Sequence, residues 1–135
     1  MTKAELAALA VKATEKSYAP YSHFNVGAAL LCADGTVFLG ANIENAAYSV
    51  TCCAERVALF SAIAAGKREF TAIAIAGGRD GRIEGACAPC GVCRQALSEF
   101  CPPSLDVILA TPDSYEHYTL GELLPKSFGA ESLGE

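Results

Sequence analysis

FNVGAALLCADGTVFLGANI, residues 24–43, reads as two strands and the turn between them. Phe24 to Ala33 is one apolar run, Thr36 to Ile43 is a second, and Asp34-Gly35 separates them. Asp-Gly between two such runs is a strong hairpin signal, because both residues tolerate the positive φ that tight turns demand. The remaining elements fall around this hairpin. Upstream, Thr2 and Glu5 form a capping box, and Leu6, Leu9, Ala10 and Ala13 recur on one face. A helix is therefore expected from Thr2 to about Tyr18, with Pro20 just beyond it. Downstream, Cys53 to about Ala65 is alanine-rich and helical, closed by Gly66 at a C-cap position. Phe70 to Ala76 is a short strand, and Gly77 to Pro89, with four glycines, is a loop. Gly91 to Phe100 is a helix stopped by Cys101-Pro102-Pro103, and Leu105 to Ala110 is another strand. A short element around Leu120 to Leu124 precedes a tail carrying Phe128. A hairpin followed by alternating helices and strands predicts an α/β fold, with a mixed sheet and helices on both faces.

At 135 residues the chain is expected to form one domain, 1–135, with a core large enough to need no staples. Apolar residues make up 52% and charged residues only 19%. A monomer needs more polar surface than that, so part of the apolar surface is expected to be covered between subunits. The net charge is −5 and no basic run occurs. A polymeric nucleic acid needs a positive groove and is excluded as partner; a small uncharged substrate fits better. The first residues lack a secretory pattern, and no apolar run is long enough for a bilayer. No membrane partner is expected, and the location expected is cytoplasmic. Seven cysteines, an odd number, argue against a disulfide framework there and turn attention to metal binding.

Two segments carry the chemistry. Thr51-Cys52-Cys53-Ala54-Glu55-Arg56 and Pro89-Cys90-Gly91-Val92-Cys93-Arg94-Gln95 each stand at a predicted helix start. Cys90 and Cys93 are three apart, so both sulfurs can face one side of a helical turn. Cys53 adds a sequence-distant third thiolate, and a tetrahedral metal would keep its fourth position open, as catalytic zinc sites do. Residues i and i+2 diverge in mid-helix, but at a helix N-terminus Cys53 and Glu55 can reach a common point. Three thiolates on Zn²⁺ leave net charge −1. Two helix N-termini, each roughly half a positive charge, offset part of it. Arg56 is expected to damp the rest by hydrogen bonding to a ligand sulfur. A blander arrangement stays open: Cys87, Cys90 and Cys93 form C-x-x-C-x-x-C, which with Cys53 would make a closed four-cysteine site without a reaction. Cys32 reads as a core thiol, and His23 and His117, without a partner at ligand spacing, as structural.

These segments match the general zinc-deaminase signature: a histidine or cysteine, one residue, glutamate, then P-C-x-x-C. With them stand Pro20 to Ala29 (PYSHFNVGAA), Asn42 to Tyr48 (NIENAAY) and Leu123 to Gly129 (LLPKSFG), in one order along nearly the whole chain. The chain resembles the small, homotetrameric, zinc-dependent cytidine deaminases. The resemblance implies a three-layer α/β/α sandwich with a mixed central sheet, one Zn²⁺ per chain and active sites at subunit boundaries. It implies hydrolytic deamination of cytidine and 2′-deoxycytidine to uridine and 2′-deoxyuridine, with release of ammonia. Glu55 would carry the protons. Phe24 would pack on the pyrimidine, Asn42 and Glu44 would bind the ribose, and Ala54 with Glu55 would hold the base edge. Ala46, Tyr48 and Phe128 would approach the site from neighbouring subunits. Two other readings remain: deamination of another aminopyrimidine nucleoside, such as a blasticidin-type antibiotic, and a non-catalytic four-cysteine module. The 77–89 loop is longer than the pattern, and Cys87 is foreign to it.

Overall fold

The hairpin forms where expected: β1 spans Phe24–Cys32 and β2 spans Val37–Ala41. The turn closes with Cys32 N–H on the Thr36 carbonyl at 2.8 Å and Gly35 at φ 92°. In this computed structural model, which describes residues 1–134, the other elements are α1 (Lys3–Ala13), α2 (Ala54–Ala64), β3 (Phe70–Arg79), α3 (Gly91–Phe100), β4 (Asp106–Ala110), β5 (Tyr115–Thr119) and α4 (Leu120–Leu123). The sheet order is β2-β1-β3-β4-β5. Only β3 and β4 run parallel, and α3 lies in the crossover between them, as parallel pairing requires.

Alternation along the strands sorts the layers. Leu30 of β1 with Ile73 and Ile75 of β3 faces a core shared with Ala58 and Leu59 of α2 and Leu97 of α3. Ala29, Ala72, Ala74 and Ala76 face Leu6, Ala7 and Ala10 of α1. The result is a three-layer α/β/α sandwich with a mixed sheet. Two glycines let the helices lie close. A Cβ on Gly27 would stand 2.3 Å from the Ala10 carbonyl oxygen, and one on Gly40 would stand 2.3 Å from that of Ala54. The Gly40 contact fixes where α2 begins.

The boundaries differ from expectation in three places. The first helix is α only to Ala13 and continues as a 3₁₀ turn over Thr14–Lys16, although the Thr2–Glu5 capping box forms. Strand β3 runs through Gly77 and Gly78 to Arg79, so the loop begins later. There Asp80-Gly81 (φ 54° and 77°) makes a second Asp-Gly turn, bridging Arg79 to Arg82. Strand β5 was not expected: YEHYT has no apolar alternation. It is the sheet edge, paired only to β4, so backbone hydrogen bonds define it rather than burial. Among the described residues, no helix is long and apolar enough to cross a membrane.

Candidate active site

Two helix starts converge. Cys53 is the N-cap of α2 and Cys90 that of α3, both with extended backbone, while Cys93 lies buried in the first turn of α3. The three sulfurs all lie within 4.8 Å of one another. Cys53 Sγ and Cys90 Sγ are 3.9 Å apart. Tetrahedral zinc with bonds of about 2.3 Å requires sulfurs about 3.8 Å apart, so the spacing fits one ion. Soft thiolates are the right donor class for it. The Cys90 sulfur also accepts from Cys93 N–H at 3.4 Å, acting as the cap of its own helix. Cys87 is outside this cluster. It is half-buried against Gly77, where an added Cβ would meet its sulfur at 2.9 Å, and burial pushes its thiol up to about 11. The donor set is therefore three sulfurs, and the closed four-cysteine arrangement is not what the fold builds.

Charge around the cluster is uneven. A hydrogen bond with the Cys93 thiol holds Cys53 down, to about 5, and bonds from Arg56 and Cys90 add to this. The Arg56 Nη2 donates to Cys53 Sγ at 3.4 Å, the contact the sequence anticipated. Its Nε is buried with no hydrogen-bond partner among the described residues. Glu55, the second residue of α2, is only 4% exposed. Burial above all, helped by the Cys53 charge, pushes its carboxyl up to about 7, against hydrogen bonds from its own amide and Cys93. An ordinary surface glutamate is thus excluded.

A second set of polar groups is tied to this corner by backbone. Ile43 and Cys52 exchange N–H···O bonds of 3.0 Å in both directions, placing the Asn42–Glu44 segment beside the Cys53 helix start. Asn42 is 8% exposed, and its Nδ2 donates to the Phe24 carbonyl at 2.8 Å. Its Oδ1 accepts from Val26 N–H at 2.9 Å and from the Ser17 hydroxyl. Glu44 Oε1 accepts from Tyr21 N–H at 3.0 Å and Ser22 N–H at 3.1 Å, and Oε2 from the Ser22 hydroxyl. These bonds, the Ser22 hydroxyl first, hold its carboxyl below its usual value. The same hydroxyl accepts from Phe24 N–H at 3.0 Å. The Phe24 ring and the Cys87 sulfur both crowd the Gly77 Cβ position.

Ala54 is fully buried at the first turn of α2. Ala46 and Tyr48 lie exposed on the segment leading to it, with the Tyr48 ring edge-on to Tyr21 at 6.0 Å. Phe128 stands apart from these groups within its own chain. It is 58% exposed, borders a cavity of about 280 Å³ with Leu120 and Leu124, and its carbonyl accepts from Gln95 Nε2 at 2.9 Å. Sequence reasoning did not single out Ser17, Ser22, Arg94 or Gln95. Arg94 Nε binds the Pro89 carbonyl and its Nη1 binds that of Leu123, lashing the second cysteine turn to the C-terminal segment. Nothing in the residue types announces such contacts, because most of them join groups more than twenty residues apart in sequence. His117 does have a carboxylate partner, Asp106 across the β4–β5 pair at 2.8 Å, but on an exposed edge and outside any metal-sized cluster among the described residues.

Comparison with known proteins agrees with this geometry. Residues 1–109 match the family model for the cytidine and deoxycytidylate deaminase zinc-binding region. The chain is 47% identical over 130 residues to a cytidine deaminase of Sporosarcina psychrophila, covering 96% of this chain and 93% of that protein. It is 46% identical over 127 residues to the cytidine deaminase of Halalkalibacterium halodurans, covering 93% of each. The crystal structure of a Burkholderia pseudomallei cytidine deaminase superposes with a TM-score of 0.87 at 50% identity, covering 95% of this chain and 100% of that one. The chain belongs to the zinc-dependent cytidine deaminase family, whose members are hydrolases.

Proposed function

We propose that this chain, acting as one domain over residues 1–135, hydrolyses cytidine and 2′-deoxycytidine to uridine and 2′-deoxyuridine, releasing ammonia. The observation that carries this reading is a buried carboxyl, Glu55, beside three converging sulfurs. Cys53, Cys90 and Cys93 hold one Zn²⁺. When bound, the ion supplies a Lewis acid that makes water acidic near neutral pH. Glu55 takes the proton of the attacking water and delivers it to ring N3. It then takes the proton of the hydroxyl now on C4 and passes it to the amine, so the C4 carbonyl forms as the C4–N bond breaks and ammonia leaves. A group that both accepts and donates works best with a pKa near the working pH, and burial of Glu55 moves it that way. Arg56 tempers the thiolate charge through its bond to Cys53.

Phe24 packs on the pyrimidine, with Ala54 and Glu55 at the base edge. Asn42 and Glu44 bind the sugar hydroxyl. Ala46, Tyr48 and Phe128 act across subunit boundaries in a homotetramer. Supporting this assembly, Tyr18, Tyr21, Ile43, Tyr48, Val50 and Phe128 are each about half exposed or more. Seven free thiols suit a reducing cytoplasm and a role in pyrimidine salvage. The test is a cytidine-to-uridine assay on purified protein, before and after a chelator, with zinc counted per chain and mass measured by light scattering. Turnover that survives complete zinc removal, or no turnover with zinc loaded, refutes the proposal. A monomer with full activity refutes the shared-site assembly.

A further inference from the structure

Backbone groups settle the orientation of the Asn42 amide: Val26 N–H can only donate, and the Phe24 carbonyl can only accept. The oxygen therefore faces Val26 and the nitrogen faces Phe24. That assignment leaves Ser17 one role. Its hydroxyl donates to the second lone pair of Asn42 Oδ1. An amide oxygen has two lone pairs, and both are now taken. The NH₂ has two hydrogens, and Phe24 takes one. A single N–H is all this buried amide has left to offer.

We infer that Ser17 is a positioning residue for sugar recognition: it keeps Asn42 a donor and nothing else. The inference rests on the proposed contact between Asn42 and the sugar hydroxyl. A donor-only amide beside the Glu44 carboxylate, an acceptor, selects a group that accepts and donates at once, which a hydroxyl does. Removing the Ser17 hydroxyl reopens a lone pair on Asn42. The amide then accepts as well as donates, and loses the polarisation its N–H gains from a fully engaged oxygen. Ser17 sits half-buried beside a cleft of about 600 Å³ lined also by Thr14, Glu15 and Asn25. Ser17 is only half-buried at the rim of that cleft, so loss of its hydroxyl opens no closed void and leaves the fold intact.

The experiment compares kcat/KM for cytidine with that for 2′,3′-dideoxycytidine, which lacks the 2′- and 3′-hydroxyls, in the zinc-loaded enzyme. Ser17→Ala should lower the cytidine value by about threefold to tenfold, through KM rather than kcat, and leave the dideoxy value in place. Ser17→Thr, which keeps a hydroxyl, should restore the ratio of the two. A ratio unmoved in Ser17→Ala, equal losses on both substrates, or a Ser17→Thr enzyme that behaves like Ser17→Ala overturns the inference. Asn42→Ala separates the two levels. If it collapses the ratio and Ser17→Ala does not, only the role of Ser17 fails. If Asn42→Ala leaves the ratio unchanged, the sugar contact fails and takes the inference with it.

Discussion

Glu44 and Glu55 are eleven residues apart in sequence, on segments joined by the Ile43–Cys52 backbone bonds, yet the fold tunes them in opposite directions. Glu44 sits in a ring of donors: two backbone N–H groups and a serine hydroxyl. Those bonds favour the ionised form, so it is held as a permanent acceptor. Glu55 is buried at a helix start, where desolvation outweighs its few hydrogen bonds, and its proton becomes easy to keep and to give away. That contrast suits the two roles proposed for them, one carboxyl binding and the other exchanging protons. The difference is made by the number of donors and by water, not by the residue type.

Replacing each group tests that contrast. Glu55→Gln should show the largest effect: a fall in kcat of about 10²–10⁴-fold or more, with zinc content unchanged. Steady-state kinetics beside metal analysis would check it, and kcat within tenfold of wild type would erase the distinction. Gly40→Ala comes next. Its Cβ would strike the Ala54 carbonyl at 2.3 Å, shifting the helix start that carries Glu55 while leaving the Glu44 clamp alone. A loss of about 1–3 kcal/mol in stability is expected. In denaturant melts and kinetics it should appear as lower stability and kcat with little change in KM.

Glu44→Gln should act on the other parameter, raising KM for cytidine about tenfold and sparing kcat more. The pH dependence sharpens this. The folded state lowers the Glu44 pKa from an ordinary value of 4.5. Its hydrogen bonds therefore contribute stability that is fully present above that value and lost as pH falls through the lowered one. Thermal melts of wild type should lose more stability in that acid window than melts of Glu44→Gln. Equal acid slopes would remove Glu44 as the cause. The smallest effect belongs to Asp34→Asn. Asp34 pairs with Lys67 at 2.7 Å on the surface of the hairpin turn, and its carboxyl is likewise held low, chiefly by that bond. The pair is far from both glutamates in its contacts, so kcat and KM should not move and the melting temperature should fall only slightly.

The hairpin, the two helix starts and the three sulfurs were legible because each is a local signal. Asp34-Gly35 encodes its turn, and cysteine with its neighbours encodes a ligand spacing. Strand β5 was not legible, since an edge strand with one neighbour needs no apolar face. The extension of β3 was missed for a related reason. Gly77 and Gly78 look like loop residues, but there the missing side chains make room: a Cβ on Gly78 would lie 1.9 Å from the Arg82 carbonyl oxygen. The Asp80-Gly81 turn carried the same signal as the first hairpin, without an apolar run on its far side to mark it.

By itself the sequence determined a mixed sheet with helices on both faces and, through its match to the zinc-deaminase signature, pointed to Cys53, Cys90, Cys93 and Glu55, because turn chemistry, periodicity and motif spacing act over a few residues. Only the tertiary structure decided that Cys87 stands outside the cluster and that Ser22 clamps Glu44. It alone placed Ser17 against Asn42 and drove Glu55 out of water. Hydrogen-bond partners and desolvation depend on which distant segments meet, and a chain written in one dimension does not record that meeting.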